Sequence, residues 1–203
     1  MVAVVEFTLP LVGLNVTTQP SATGLKLEVA HSVLYVHDAD KMIGFYTDML
    51  GFEVTDRGPI LDQEIIFMSQ IATHHHQVAF ITGRGAPEKS NSTHHTAYRS
   101  SGSLDDLKAL LGRLQAHPEV TGIMPLTHGN AWSIYFQDPE NNGVEIFIDT
   151  PWHVKQPQGK PLDLTRSNDE IIAATEAAFA NEPEFSDLGA FYQRRAQHLD
   201  ERS

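Results

Sequence analysis

Three stretches place imidazole or carboxylate groups inside apolar, strand-like runs. They are Glu28-Val29-Ala30-His31-Ser32-Val33-Leu34-Tyr35-Val36, Thr93-His94-His95-Thr96-Ala97-Tyr98-Arg99 and Asn142-Gly143-Val144-Glu145-Ile146-Phe147-Ile148. A carboxylate among residues such as Val144, Ile146 and Phe147 is costly to bury without a cation. The chain has 11 histidines and no cysteine, so a thiolate zinc site, a cysteine nucleophile and disulfides are excluded. The expectation is that His31, His95 and Glu145 converge on one metal ion. Two neutral imidazoles and one carboxylate leave about three open positions on a six-coordinate ion, the arrangement of non-haem Fe(II) oxygenases. Of the pair His94-His95, strand alternation favours His95 and sends His94 to the opposite face. Taken alone, His31 reads more readily as a satisfied structural histidine of an apolar strand; its place in the repeat favours the ligand.

The elements that must position these groups repeat. Glu28 to Val36 reads as a strand from its β-branched and aromatic content. Asp38 or Asp40 then caps a helix carrying Met42, Ile43, Phe45, Tyr46, Met49 and Leu50, which Gly51 ends. Strands are expected at Phe52 to Asp56, Glu64 to Ser69 and Gln77 to Thr82, with a turn at Gly58-Pro59. After a linker over 84–92 the order recurs. A strand runs from His95 to Ser100, and a helix starts at Ser103 with Asp106 in capping-box spacing. That helix carries a stripe of Leu104, Leu107, Leu111 and Leu114. Strands follow at Gly122 to Thr127, Trp132 to Gln137 and Val144 to Asp149, the last two joined by the turn Asp138 to Gly143. Two β-α-β-β-β units in succession are an internal repeat of element order.

The expected organisation is an N-terminal arm over 1–25, the paired units over 26–149 and a C-terminal extension over 150–203. Pro151, Pro157 and Pro161 extend the last segment. Ser167 and Glu170 start a helix with Ile171, Ile172, Thr175 and Phe179 on one side, and a second helix runs from about Glu184 to His198. Lys+Arg of 14 against Asp+Glu of 26 gives a net charge of -12, which argues against nucleic acid and anionic membrane surfaces as partners. No apolar run approaches the roughly 20 residues of a membrane span, and no basic segment opens a signal peptide. These absences point to a cytoplasmic protein.

Asp38 to Phe52, with Phe45-Tyr46 and Leu50-Gly51-Phe52, resembles the first helix signature of the vicinal oxygen chelate superfamily of glyoxalases, fosfomycin-resistance proteins and extradiol dioxygenases. Asp138-Pro139-Glu140-Asn141-Asn142-Gly143-Val144-Glu145 is similar to its last turn and metal-binding strand, with Asn141 where that turn usually has Gly. The resemblance covers about residues 26 to 149. It implies an α+β fold in which the eight strands curl into an open, mixed barrel around a divalent metal.

Within that superfamily the chain is most similar to one-module type I extradiol ring-cleaving dioxygenases. Their His, His, Glu ligand set falls on His31, His95 and Glu145, implying Fe(II), though the same ligands accept Mn(II). His76, in His76-Gln77-Val78-Ala79, matches the family's second-sphere histidine, which would exchange protons with the diol and the oxygen-derived anion. Tyr135 matches the tyrosine that hydrogen-bonds a substrate oxygen. His128 matches a histidine that orients substrate, at a shorter spacing from the tyrosine. The partners implied are a small aromatic diol and O₂, and a homodimer or higher homo-oligomer is expected. A metal-dependent glyoxalase- or epimerase-type lyase or isomerase is the competing enzyme class; it calls for a fourth ligand, for which Gln77 is the sole candidate. A non-enzymatic binding module would lack the triad. Phe80, Trp132, Ile134 and Trp152 read as substrate-lining or core residues, while His37, His74, His75, His117, His153 and His198 read as surface residues.

Overall fold

The computed structural model describes residues 29–86, 88 and 93–200; the arm expected over 1–25 lies outside them. The first unit runs β1 (Ser32–Val36), α1 (Ala39–Leu50), β2 (Glu53–Ile60), β3 (Gln63–Ser69) and β4 (Val78–Thr82). Asp38 is the helix cap, accepting the Lys41 N–H at 3.0 Å. Gly51 ends the helix at φ 76, a left-handed geometry that needs no Cβ. The second unit repeats the order as β5 (Thr96–Arg99), α2 (Leu104–Ala116), β6 (Thr121–Thr127), β7 (Ala131–Gln137) and β8 (Gly143–Asp149). Ser103 and Asp106 form the full capping box, and Leu104, Leu107, Leu110 and Leu114 are the buried stripe.

Hydrogen bonding groups the strands of the two units into two sheets. The first has the order β1-β4-β3-β2 and the second ends in β6-β7-β8-β5. In both, the first and last strands of the unit are parallel and the remaining pairs antiparallel. One departure from the sequence reading concerns Gly58-Pro59, which lies inside β2, where Pro59 pairs with Glu64. The turn comes later, at Leu61 with φ 55. Because β2 is the sheet's outer strand, a proline lacking an N–H forfeits no ladder bond there.

The helices pack between the sheets. From α1, Tyr46 meets Phe80 of the first sheet at 4.9 Å between ring centroids, and Phe45 meets Phe136 of the second at 6.2 Å. Just past the helix, Phe52 meets Tyr98 at 5.5 Å. Alternation along the strands then assigns two faces to each sheet. Leu34, Ile66 and Phe80, with Val144, Ile134 and Trp132, belong to the helix-covered faces. Val33, Tyr35 and Phe67, with Glu145, Tyr135 and Ala97, lie on the opposite, open faces. Phe80, Ile134 and Trp132 are therefore core residues, and their side of the sheet excludes them from lining a pocket around Glu145.

The two units are also tied end to end. Glu140, 2% exposed, sits in the second unit's Asp138 to Gly143 turn. Its carboxylate accepts the backbone N–H of His37 at 2.8 Å and of Asp38 at 2.6 Å, at the start of α1. Arg84 pairs with it at 3.4 Å. A negative charge suits the positive end of a helix, so one unit's turn completes the other unit's helix. Asn141 adopts φ 60 within that turn, a conformation asparagine tolerates better than most residues.

Beyond Asp149 the chain returns over the second sheet. It forms β9 (Trp152–His153), β10 (Lys160–Pro161), α3 (Asn168–Phe179), β11 (Ser186–Asp187) and α4 (Leu188–Asp200). The capping box at Ser167 and Glu170 is present, with Ile171, Thr175 and Phe179 buried. Periodicity gives no warning of β10, two residues long, which pairs with β6 and widens the second sheet to five strands. The Trp132 indole N–H donates to Thr175 Oγ1 at 2.8 Å, fastening α3 to β7. His153 is buried rather than superficial, stacked on Phe191 at 3.6 Å with Glu184 3.3 Å from its Nε2. Among the described residues, no helix is long and apolar enough to cross a membrane.

Candidate metal centre

Glu145 occupies the middle of β8, with Ala97 beside it on β5 and Tyr135 beside it on β7. Strand alternation puts its carboxylate on the open face, yet only 7% of the residue is exposed. What surrounds it is polar. His95 Nε2 lies 3.1 Å from Oε2, and His128 Nε2 lies 4.0 Å from Oε1. The His128 Nε2 is also 3.0 Å from the Tyr135 hydroxyl. A separation near 3 Å is the bite of two donors sharing one ion at about 2.1 Å each. The His95–Glu145 pair thus fits a divalent metal in chemistry and in spacing.

Each partner is held by something else. His95 Nδ1 lies 2.6 Å from His94 Nδ1. Both residues precede Thr96, where β5 begins, so strand alternation does not govern them and the two rings meet edge-on instead of facing opposite ways. The passage of β8 beside them demands Gly143, where a Cβ would collide with the His94 carbonyl. His128 Nδ1 faces the Gln158 carbonyl. A carbonyl only accepts, so Nδ1 carries a proton. Burial, and then the hydrogen bond to Glu145, push the Tyr135 hydroxyl well above the usual phenol range. Tyr135 therefore stays protonated and acts as a donor.

The other two residues singled out in the sequence form a separate group. The His31 and His76 rings stand 4.2 Å apart, and His76 also meets Phe67 at 4.8 Å. Burial, followed by the neighbouring His31 and His75, lowers the His76 pKa. His74 and His75 are exposed, as the sequence suggests. Within one chain His31 accordingly stands with His76, not with His95 and Glu145. Among the described residues no three His, Asp or Glu side chains are placed to hold one ion. The sequence locates every member of the two groups but says nothing of how their sheets are stacked.

Gln158 escapes the sequence reading. Gln158 fixes the His128 tautomer through a backbone carbonyl, which leaves no trace in residue type. Gln77, the candidate fourth ligand, uses its side-chain oxygen to accept from Gln70 N at 3.0 Å and Ser69 Oγ at 3.4 Å. That ties it to the β3–β4 connection.

The stretch 28–146 matches the model of the Glyoxalase/Bleomycin resistance protein/Dioxygenase superfamily. Among curated proteins, the chain is 32% identical over 127 residues to biphenyl-2,3-diol 1,2-dioxygenase 3 of Rhodococcus globerulus, covering 60% of this chain and 63% of that protein. It is likewise 32% identical over 126 residues to biphenyl-2,3-diol 1,2-dioxygenase 2 of the same organism, covering 59% and 62%. The aligned region thus spans less than two thirds of either relative. Among solved structures, a glyoxylase/bleomycin resistance protein/dioxygenase domain from Frankia sp. EAN1pec superposes with a TM-score of 0.50 at 18% identity. That superposition covers 62% of this chain and all of that one, 100%. The repeated unit, the turn that leads into the strand of Glu145 and the matched stretch agree: this chain belongs to the Glyoxalase/Bleomycin resistance protein/Dioxygenase superfamily.

Proposed function

We propose that the protein is an Fe(II)-dependent extradiol dioxygenase that opens a catechol-like ring with O₂, with His31, His95 and Glu145 as metal ligands. The observation that carries this reading is Glu145 itself, a nearly buried carboxylate 3.1 Å from His95 Nε2, with a phenol and a second imidazole at its other side. Fe(II) held by these residues would supply a Lewis-acidic, redox-active cation for the reaction of a diol with O₂. Glu145 contributes the negative charge and, with His95, fixes the position of that cation. Tyr135, kept protonated, donates a hydrogen bond to a diol oxygen as charge builds on it. His128, with Nε2 3.0 Å from the Tyr135 oxygen, orients the substrate oxygen or closes the pocket. His76 is the residue that takes the diol's proton and later returns it.

The dioxygenase relatives support this class over an isomerase. So does Gln77, whose side-chain oxygen is engaged between β3 and β4 and is not presented as a fourth ligand. The test is anaerobic loading with Fe(II), or Mn(II) as the alternative ion, followed by biphenyl-2,3-diol or catechol and O₂. A yellow ring-fission product with matching oxygen uptake is expected. Glu145→Ala removes several kcal/mol of charge stabilisation and should lower turnover on the order of a thousandfold. Turnover of a methylglyoxal–thiol adduct without oxygen uptake would instead place the protein among the isomerases.

A further inference from the structure

We propose that Gln156, in the C-terminal extension, is a positioning residue for the site: its side-chain amide closes a ring of hydrogen bonds that aims the His128 imidazole at Tyr135 and Glu145. The inference rests on the reading of His128 as a member of the active site. It gives a part in that site to a segment that lies beyond the stretch 28–146 matched to the superfamily.

Three residues make the ring. Gln156 Nε2 donates to the His128 backbone carbonyl at 2.8 Å, and its Oε1 accepts the Gln158 N–H at 2.9 Å. The Gln158 carbonyl in turn accepts from His128 Nδ1. A carbonyl only accepts and a backbone N–H only donates, so the direction of each bond, and the way the amide is turned, follow from backbone groups. The same amide nitrogen donates to Asn130 Oδ1 at 3.2 Å and to the Val154 carbonyl at 3.3 Å. One side chain thus grips both the main chain of His128 and the peptide that the His128 ring meets. The imidazole then swings only at the cost of opening the closed set. What it presents to the site is Nε2, 3.0 Å from the Tyr135 hydroxyl and 4.0 Å from Glu145 Oε1.

The ring is anchored on both sides. Beyond Gln158, Lys160 of β10 pairs with Thr127 of β6, the residue before His128. The Gln158 side chain donates to the Lys155 carbonyl at 3.2 Å and to Glu182 Oε2 at 3.4 Å, just past α3. Lys160 adds its own ion pair with Glu182 at 3.4 Å. After His128, Gly129 takes φ 80, and a Cβ there would collide with Val154 and crowd Phe179. The turn that carries His128 is therefore seated on the extension. Gln156 stands outside the site, and its route to the reacting atoms runs through His128.

A double-mutant cycle tests that route. Catechol cleavage is measured as kcat/KM for the Fe(II)-loaded wild type, Gln156→Ala, His128→Ala and the double variant. Gln156 is exposed, so its truncation leaves the core untouched. Gln156→Ala should lower kcat/KM about tenfold when His128 is present, as a misplaced orienting group does. In the His128→Ala background the same change should cost less than about twofold, because the group it positions is gone. Equal losses in the two backgrounds would overturn the proposal, since a merely structural residue acts whether or not His128 is there. So would a Gln156→Ala variant as active as wild type. A second readout needs neither metal nor turnover. The His128 Nδ1–H gives a proton NMR signal, identified through its coupling to the ring carbons. Its exchange with water should quicken about tenfold in Gln156→Ala, as loss of a supporting hydrogen bond implies. Unchanged exchange would also overturn the proposal. Should His128→Ala fail to fold, that signal decides by itself. A wild type that opens no ring would remove the dioxygenase reading, and the exchange rate alone would then say whether Gln156 holds His128.

Discussion

In the first unit, His31 and His76 meet at a tilt at the rim of a sheet whose open face leaves Val33 and Tyr35 in water. In the second, Glu145 is almost wholly covered, and His95, His128 and Tyr135 surround it, with His94, Gln158 and the narrow passage at Gly143 holding those groups in turn. The order of elements is the same, so the repeat does not explain the contrast. What differs is the investment around each set of donors. A lone buried carboxylate costs several kcal/mol unless polar groups or a cation compensate it, and the second unit has recruited those groups from two strands, a turn and the C-terminal extension. Imidazoles at a partly exposed rim carry no such penalty, and the first unit needs no equivalent support.

That contrast can be broken in graded ways. The largest effect is expected from Gly143→Ala, which forces a methyl group into the His94 carbonyl and should cost about 3 kcal/mol, as overpacking against backbone does. Imidazole NMR signals from His94 and His95 should move while those of His31 and His76 stay put. Equal movement in both sets would mean that the two groups are not independently supported. Glu140→Gln comes next. It weakens the acceptor for two N–H groups at the start of α1 and leaves Arg84 without its charge partner, for about 2 kcal/mol. Hydrogen exchange should quicken at the first turn of α1, in the unit that does not contain residue 140. Protection lost only near the turn itself would contradict the tie between units. The smallest is Thr175→Val, which leaves the buried Trp132 N–H unpaired for about 1–2 kcal/mol. Unfolding monitored by Trp132 fluorescence should shift to lower denaturant. If it does not, α3 contributes nothing to the second sheet's stability.

Much of this architecture was legible from residue types. Ser103 with Asp106 and Ser167 with Glu170 announce helix starts through a local reciprocal bond, and Gly51 announces an end through backbone freedom. Such signals depend on neighbours along the chain, which a sequence displays. Glu145 was legible for a different reason, since a charge among aliphatic residues requires an explanation. Pro59 misled because a proline is compatible with an outer strand as well as with a turn, and only the sheet order decides. The hold of Gln158 on His128, and of Glu140 on His37 and Asp38, joins positions about a hundred residues apart or uses backbone atoms. Alternation says which side chains share a face, and it is silent on which faces come together. His31 was therefore found as a donor without any indication of the donors it would join.

Strand β10 is only two residues long, yet it occupies the rim of β6 that would otherwise present unpaired backbone groups. The far rim of the first sheet is guarded differently, by Pro59 and by the charged side chains of Glu53, Asp56 and Arg57 on β2. Exposed rims invite unlimited addition of further strands. With both outer rims refused, neither is open to the strand-by-strand addition that would lengthen a sheet into a fibre.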